Sequence, residues 1–378
     1  MNDHGYNRLA RIIMMFVALA IGAGAVSFRL NINDAPSVTT PSLPEYKAAL
    51  WQDSANAYKW ADLAEALGDA GREAEAKRAF TRAVALSPQI PMIWVRYTNF
   101  CFIHNDLQQG LKTAERVLAT VPDYDEILFY YFDRIVENPA AVLAAIGGDR
   151  RATRAWLEHM MTANNAVAAR NTWSRIADAG FGDDKLAVGY VDYLLRNKRW
   201  ENALQTWAAW LGERQGDYPA RNLLFNGKFQ RMPLGGPLDW RLTQSVDEFE
   251  NVLGKNGAMI RFLGKTNVNY DHLSQVAILP RQGAYRLTMR VKTAGLTTNE
   301  GIRLAIPELG LASESLTGSH DWTTVSLDFS VAQSRSLRVG VVRRPSGKFD
   351  NKIEGTVWID GISLGPVGLI GQTITHVY

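Results

Sequence analysis

Of 378 residues only Cys101 is a cysteine, and only six are histidines. A lone thiol excludes an internal disulfide and leaves no cysteine cluster to hold a metal. There is no H-E-x-x-H and no phosphate-binding glycine loop, so the common zinc-peptidase and nucleotide signatures are missing. A glycosidase needs two carboxylates flanking a cleft. Asp321, Asp328, Asp350, Glu354 and Asp360 show no paired spacing along one strand. His272 beside Asp271 and His320 beside Asp321 are strand neighbours, which point to opposite faces. Catalysis is therefore not expected, and neither a cofactor nor a metal site is assigned. Charge of one sign is scarce too: the net charge is +3, too small to suggest a nucleic-acid partner.

Long apolar runs are limited to one. Ile12 to Phe28 is 17 residues without a charge, bracketed by Arg11 and Arg29. With Arg8 and Arg11 before it, the run predicts a membrane anchor with the amino terminus in the cytoplasm and the rest across the membrane. A cleaved signal peptide, cut near Ala23-Gly24-Ala25, is the alternative. Residues 31–44, with three prolines, read as a tether.

What the chain does have is a repeat. Trp60 is echoed by Trp94 and Pro88 by Pro122, each 34 positions later, a period that marks stacked helix pairs. One unit runs Trp60, Leu63, Ala64, Leu67, Ala76, Phe80, Ala83, Pro88. The next reads Trp94, Tyr97, Thr98, Cys101, Gly110, Ala114, Val117, Pro122. Large and small residues alternate where one helix must nest against another. Cys101 sits on a core position of this pattern, as a structural thiol would. A third pair is degenerate, interrupted at Pro139. The pattern resumes from Arg150 with Trp156 and Trp173, and again from Asp184 with Trp207 and Trp210. The units resemble tetratricopeptide repeats, the first at all eight signature positions. That resemblance implies an α-solenoid over 45–219 that docks a protein partner. Trp200, outside the signature positions, is the candidate for an exposed anchor.

After Pro219 the period changes to two. Tyr285, Leu287, Met289 and Val291 alternate with Arg286, Thr288, Arg290 and Lys292, and Val325, Leu327 and Phe329 alternate with polar residues. Gly/Pro/Asn clusters separate such runs. Further strands are expected at 223–225, 240–244, 258–263, 274–279, 301–306, 336–342 and 355–364, so 220–364 predicts an antiparallel β-sandwich. The opening Asn226-Gly227-Lys228-Phe229 and the closing Trp358-Ile359-Asp360-Gly361-Ile362-Ser363-Leu364 are similar to the frame of carbohydrate-binding modules and galactose-binding-like jelly rolls. Residues 221–378 carry 18 Lys/Arg against 13 Asp/Glu, whereas 45–220 carry 20 against 23, so the carboxy-terminal part is the better match for an anionic partner. If Arg303 and Arg338 share a side with Arg286 and Arg290, a basic sheet face results. Guanidinium forks fit the carboxylates of an acidic polysaccharide, and Trp240, Tyr270, Trp322 and Trp358 could supply flat surfaces for sugar rings.

The expected order is thus a multidomain α plus β chain: membrane helix (1–30), linker (31–44), solenoid (45–219), jelly roll (220–364) and tail (365–378). This order resembles bacterial inner-membrane envelope proteins linked to exopolysaccharide assembly, single-pass with a periplasmic bulk. The resemblance implies a non-catalytic adaptor, with partners in the envelope polysaccharide machinery. A scaffold that binds only protein, and a polysaccharide-modifying enzyme, remain as alternatives.

Overall fold

The computed structural model describes residues 41–243, 245–254 and 257–367. The expected anchor and most of the linker and tail lie outside them. No helix of the described residues is long and apolar enough to cross a membrane. The chain divides into two compact units between Phe181 and Gly182.

The first unit is helical: α1 (Leu43–Gln52), α2 (Ala57–Asp69), α3 (Glu73–Leu86), α4 (Pro91–Ile103), α5 (Leu107–Leu118), α6 (Asp125–Ile135), α7 (Pro139–Ile146), α8 (Arg150–Thr162) and α9 (Ala166–Asp178). The 34-residue period is physical. Trp60 Nε1 donates to the Ser54 carbonyl at 2.9 Å, and Trp94 Nε1 to the Pro88 carbonyl at 2.8 Å. Both bonds reach back six residues. Each first helix also ends the same way. The Arg72 N–H bonds the Leu67 carbonyl and the Asp106 N–H bonds that of Cys101, both at 2.8 Å. The residue before each, Gly71 and Asn105, has positive φ. That is the left-handed C-cap closing two orphan carbonyls. The same closure recurs at Asn164 and Lys198, again 34 apart.

Between the helices, Ala64, Ala76, Phe80, Ala83, Cys101 and Ala114 are fully buried. Burial pushes the Cys101 thiol up to about 12, which keeps it protonated and inert. Pro139 does not break a helix. It is the first residue of the short α7, whose amide Ala140 N–H is capped by Asn138 at 2.9 Å, the position where a missing N–H costs nothing.

The second unit begins with one more helix pair, α10 (Asp184–Arg196) and α11 (Trp200–Leu211), and continues into ten strands. The sequence places the boundary at 219/220; the last helix pair instead packs with the strands. Trp207 meets Phe225 edge-on at 6.0 Å, and a side-chain carbon on Gly236 would come within 2.9 Å of Val188.

The strands are β1 (Arg241–Leu242), β2 (Phe249–Gly254), β3 (Gly257–Leu263), β4 (Tyr270–Leu279), β5 (Gly283–Leu296), β6 (Arg303–Ile306), β7 (Leu311–Ala312), β8 (Gly318–Val331), β9 (Arg335–Arg343) and β10 (Glu354–Pro366). They form two five-stranded antiparallel sheets, β1-β4-β9-β6-β7 (sheet I) and β2-β3-β10-β5-β8 (sheet II). Inward residues such as Leu273, Leu287, Val291, Val339, Val341, Val357 and Ile359 fill one core between them. Period-2 patterning thus yields a β-sandwich, as expected.

The opening segment 223–225 is not a strand, but it does close the sandwich against β10. Buried Asn222 accepts the Leu224 and Leu364 N–H groups at 3.0 Å and donates to the Ile362 carbonyl at 3.2 Å. Ile362 N–H in turn bonds the Gly227 carbonyl at 2.8 Å.

Candidate functional site

The pairing register of sheet I lines up small residues across its outer face. Ser274 stands opposite Gly340, Gly340 opposite Ala305, and Ala305 opposite Ala312. Their neighbours along each strand (Leu273, Val339, Val341, Leu304, Ile306) point into the core, so this row faces outward. Four short side chains in one row make the floor of a trough running across the strands. With strands about 4.8 Å apart, four of them span roughly 14 Å. Gly340 is where the floor is lowest: a side-chain carbon there would sit 3.1 Å from the Leu273 carbonyl and 3.2 Å from Ser274. The resulting cavity holds about 270 Å³.

One wall carries Arg338 from β9 together with the turn Pro307–Leu309, whose Glu308 accepts the Arg338 backbone N–H at 3.1 Å. The other wall carries Asn269, Asp271 and Arg344. Asp271 owes its place to a β-bulge: β4 uses three steps, Tyr270 to Leu273, where β9 uses two, Arg343 to Val341. The extra residue leaves both Asp271 and His272 between inward positions, and such bulges re-aim side chains. His272 turns away, 2.9 Å from Thr243 Oγ1 and stacked on Phe249.

The guanidiniums of Arg338 and Arg344 make no hydrogen bond or ion pair among the described residues, and both side chains are exposed. Two unanswered forks stand on the walls of the groove, beside the carboxylates of Asp271 and Glu308. Forks of this kind suit a ligand carrying carboxylates.

Below one end of the groove lies Arg343, the first residue of the basic run Arg343–Lys348. Arg343 is fully buried. Its Nε donates to the Glu300 carbonyl at 3.0 Å. Nη1 donates to Asn267 Oδ1 at 3.0 Å and to the Val268 carbonyl, and Nη2 to Thr298 Oγ1 and the Asn351 carbonyl at 3.4 and 3.3 Å. No carboxylate touches it, and burial lowers its pKa against the pull of nearby Glu300. One cation thus ties together three loops: 264–269, 297–302 and 344–353. The last of these is pinned again by buried Ser346, whose Oγ lies 2.6 Å from Asn299 Oδ1. This framework fixes where Arg344 stands.

The residues expected to bind glycan are divided by the structure. Arg303 and Arg338 lie on the outer face of sheet I, Arg286 and Arg290 on that of sheet II, so the single basic face does not exist. Arg303 is engaged by the Ser313 carbonyl at 3.0 Å and Glu300 at 2.8 Å. Trp240 is 1% exposed and Tyr270 0%. Both are core residues, with Trp240 Nε1 on the Asn226 carbonyl and Tyr270 Oη on Asn251 Oδ1, each at 3.0 Å, so neither ring can receive a sugar. Trp322 and Trp358 face outward on sheet II. Trp200 is half-buried at the start of α11.

Missed by sequence reasoning were Ser274, Ala305, Ala312 and Gly340, because only pairing makes small residues into a floor, and Asn269. Among the described residues no three His, Cys, Asp or Glu side chains converge as a metal site would require.

The helical unit has a groove of its own, of about 580 Å³. Trp94 and Tyr97 of α4 flank it, with Lys112 and Arg116 one turn apart on α5. Glu115 also lines it; burial and then nearby Asp149 raise its pKa.

No family model matches the chain, and no curated protein does. Among solved structures, a CBM4 carbohydrate-binding module is 13% identical, spans 38% of this chain and 99% of its own, and has a TM-score of 0.29. The module TmCBM61, solved with β-1,4-galactotriose, is 18% identical over 39% of this chain and 99% of its own, with a TM-score of 0.24. The module CBM6cm-2 of Cellvibrio mixtus lichenase 5A, solved with cellotriose, is 12% identical over 33% of this chain and 90% of its own, with a TM-score of 0.21.

Proposed function

We propose that this protein is a non-catalytic adaptor whose β-sandwich binds an acidic polysaccharide in the groove of sheet I. The observation that carries this reading is the trough floored by Ser274, Gly340, Ala305 and Ala312 and rimmed by two unpaired arginines. A short oligosaccharide segment fits its length. Arg338 and Arg344 can each grip a sugar carboxylate, and Asn269 and Asp271 can bond hydroxyls. Among the described residues no exposed aromatic lines the groove, so recognition there is polar. The helical part, read as tetratricopeptide-like pairs, docks a protein partner in its groove beside Trp94 and Tyr97. The charge-free run at 12–28 anchors the chain in a bacterial inner membrane with these units outside, and the process served is surface-polysaccharide assembly or export.

Calorimetric titration of the whole chain with the acidic exopolysaccharide of its source organism tests the groove. Saturable binding is expected, weakened at least tenfold in Arg338→Ala/Arg344→Ala. Unchanged affinity in that double variant removes the groove as the site.

A further inference from the structure

The outer face of sheet II is a second built surface, and its chemistry differs from the groove's. Register places Met259, Trp358 and Lys292 side by side on β3, β10 and β5. On the far side of Lys292, β8 bulges. It takes three steps, Thr323 to His320, where β5 takes two, Val291 to Thr293. Asp321 and Trp322 both fall opposite Lys292, and Lys292 Nζ bonds Asp321 Oδ1 at 3.1 Å. Just past Val291, β10 bulges on the other side of β5, between Ile359 and Gly361. That bulge turns Asp360 to within 2.6 Å of Arg290. Arg290 in turn covers one face of the Trp322 ring, 5.1 Å from its centroid. Two bulges flanking one strand at adjoining positions are positioning devices, and here they fix a tryptophan that is still 39% exposed. Trp322 and Trp358 lie one strand to either side of β5, so about 10 Å separates their backbones.

Around this pair the charges cancel. Arg286 pairs with Asp328 at 2.6 Å, Arg290 with Asp360 at 2.6 Å, and Lys292 with Asp321 at 3.1 Å. The remaining outward positions nearby are hydroxyls: Thr324 and Ser326 on β8, and Thr288 and Ser363 sharing a hydrogen bond at 2.6 Å. A flat, neutral, hydroxyl-rich face with two indoles offers nothing specific to an anion. It does offer apolar ring surface with hydrogen-bonding groups beside it.

We propose that this face is a separate binding surface for a neutral polysaccharide, laid flat across β8, β5 and β10. The C–H faces of two sugar rings stack on Trp322 and Trp358, and Lys292 between them bonds a hydroxyl. With the groove on the opposite sheet, one sandwich then holds two chains of different charge.

The test is affinity electrophoresis of the whole chain in gels containing soluble neutral polysaccharides: a mixed-linkage β-glucan, a galactan and a mannan. Retardation by at least one is expected. Trp322→Ala and Trp358→Ala should each weaken it at least tenfold, while Trp322→Phe keeps most of it. Arg338→Ala/Arg344→Ala should leave it unchanged, which separates this surface from the groove. Melting curves and acidic-glycan titration confirm that each tryptophan variant is folded. Absence of retardation in all three gels overturns the proposal. So does a folded Trp322→Ala/Trp358→Ala variant that is retarded like the parent. A change of oligomeric state in that variant, with neutral-glycan binding intact, assigns the face to contact between copies instead.

Discussion

The two outer faces of the sandwich present the same residue types, arginine, aspartate and hydroxyls, yet differ in what the arginines touch. On sheet II every cation of β5 has an acid beside it. Exposed pairs of this kind contribute only about 0–1 kcal/mol to stability, but they cancel the field that would draw an anion. On sheet I the arginines at the rim of the groove are unanswered, and the one arginine that is fully satisfied, Arg343, is buried beneath it. Guanidinium count says little about ligand charge; partner placement decides it. The basic surplus of the carboxy-terminal part is real, and in the groove its arginines stand near Asp271 and Glu308 without pairing to them among the described residues.

Removing Arg343 should break this comparison most forcefully. Arg343→Ala takes the donor from the Val268 and Asn351 carbonyls and one of two donors from the Glu300 carbonyl and Asn267 Oδ1, and loss of one partner from a buried polar network costs about 3 kcal/mol or more. Denaturant unfolding should show that loss, and the groove should fail before the outer face of sheet II does, since the pinned loops carry Asn269 and Arg344. Equal loss at both faces would mean that Arg343 serves the whole fold rather than one end.

A second probe acts through pH. Asp239 is fully buried, accepting the Leu234 and Trp240 N–H groups at 2.7 Å, and burial pushes its pKa up from 3.8 to about 6. The native carboxyl therefore holds its proton more tightly than the unfolded one. The stability this brings is full below the unfolded value and is lost as pH rises through about 6. Each tenfold gain in proton affinity is worth about 1.4 kcal/mol, so after partial relaxation of the site the loss should approach about 2 kcal/mol. Melting temperatures measured at pH 5 and pH 7.5 should fall with pH in the parent and flatten in Asp239→Asn. A parent that is more stable at the higher pH contradicts the assignment.

Much of this architecture is legible in the chain. The 34-residue echo of Trp60 in Trp94 reports one hydrogen bond made twice. The alternation through Tyr285–Val291 reports which side faces the core. Parity along a single strand is local information, and it even distinguishes Arg343 from Arg344. Leu337, Val339 and Val341 point inward, so Arg343 does too, although the run Arg343–Lys348 looks like an ordinary basic turn. What stays hidden is non-local. Whether Arg303 stands beside Arg290 or behind it depends on which sheet β6 joins. Trp240 and Trp322 each sit at the edge of a polar stretch, and only packing sends one into the core and the other to solvent. The groove floor is invisible for the same reason, because Ser274, Ala305, Ala312 and Gly340 meet only through register.

Filling that floor sharpens the contrast at small cost to the fold. Gly340→Val inserts a branched side chain where the nearest atoms already lie at 3.1 and 3.2 Å, so it should block the groove and lower acidic-glycan affinity about tenfold or more, equivalent to about 1.4 kcal/mol. Overpacking against the Leu273 carbonyl should cost about 1 kcal/mol of stability. Neutral-glycan binding on sheet II should not move, and a parallel loss there would show that the two faces are not independent.

The smallest expected effect is the most direct reading of charge. Salt screens unpaired surface charges with a length near 10 Å at about 0.1 M and 3 Å at about 1 M. Acidic glycan held by Arg338 and Arg344 should therefore weaken several-fold as salt rises through that range. A neutral chain stacked on Trp322 and Trp358, where each cation is already paired, should change by less than about twofold, since burial of ring surface is insensitive to screening. Titrations at both salt concentrations test this for each face separately. Equal slopes would show that the paired cations of sheet II still project a field, and that partner placement is a poorer guide to ligand charge than the residue count.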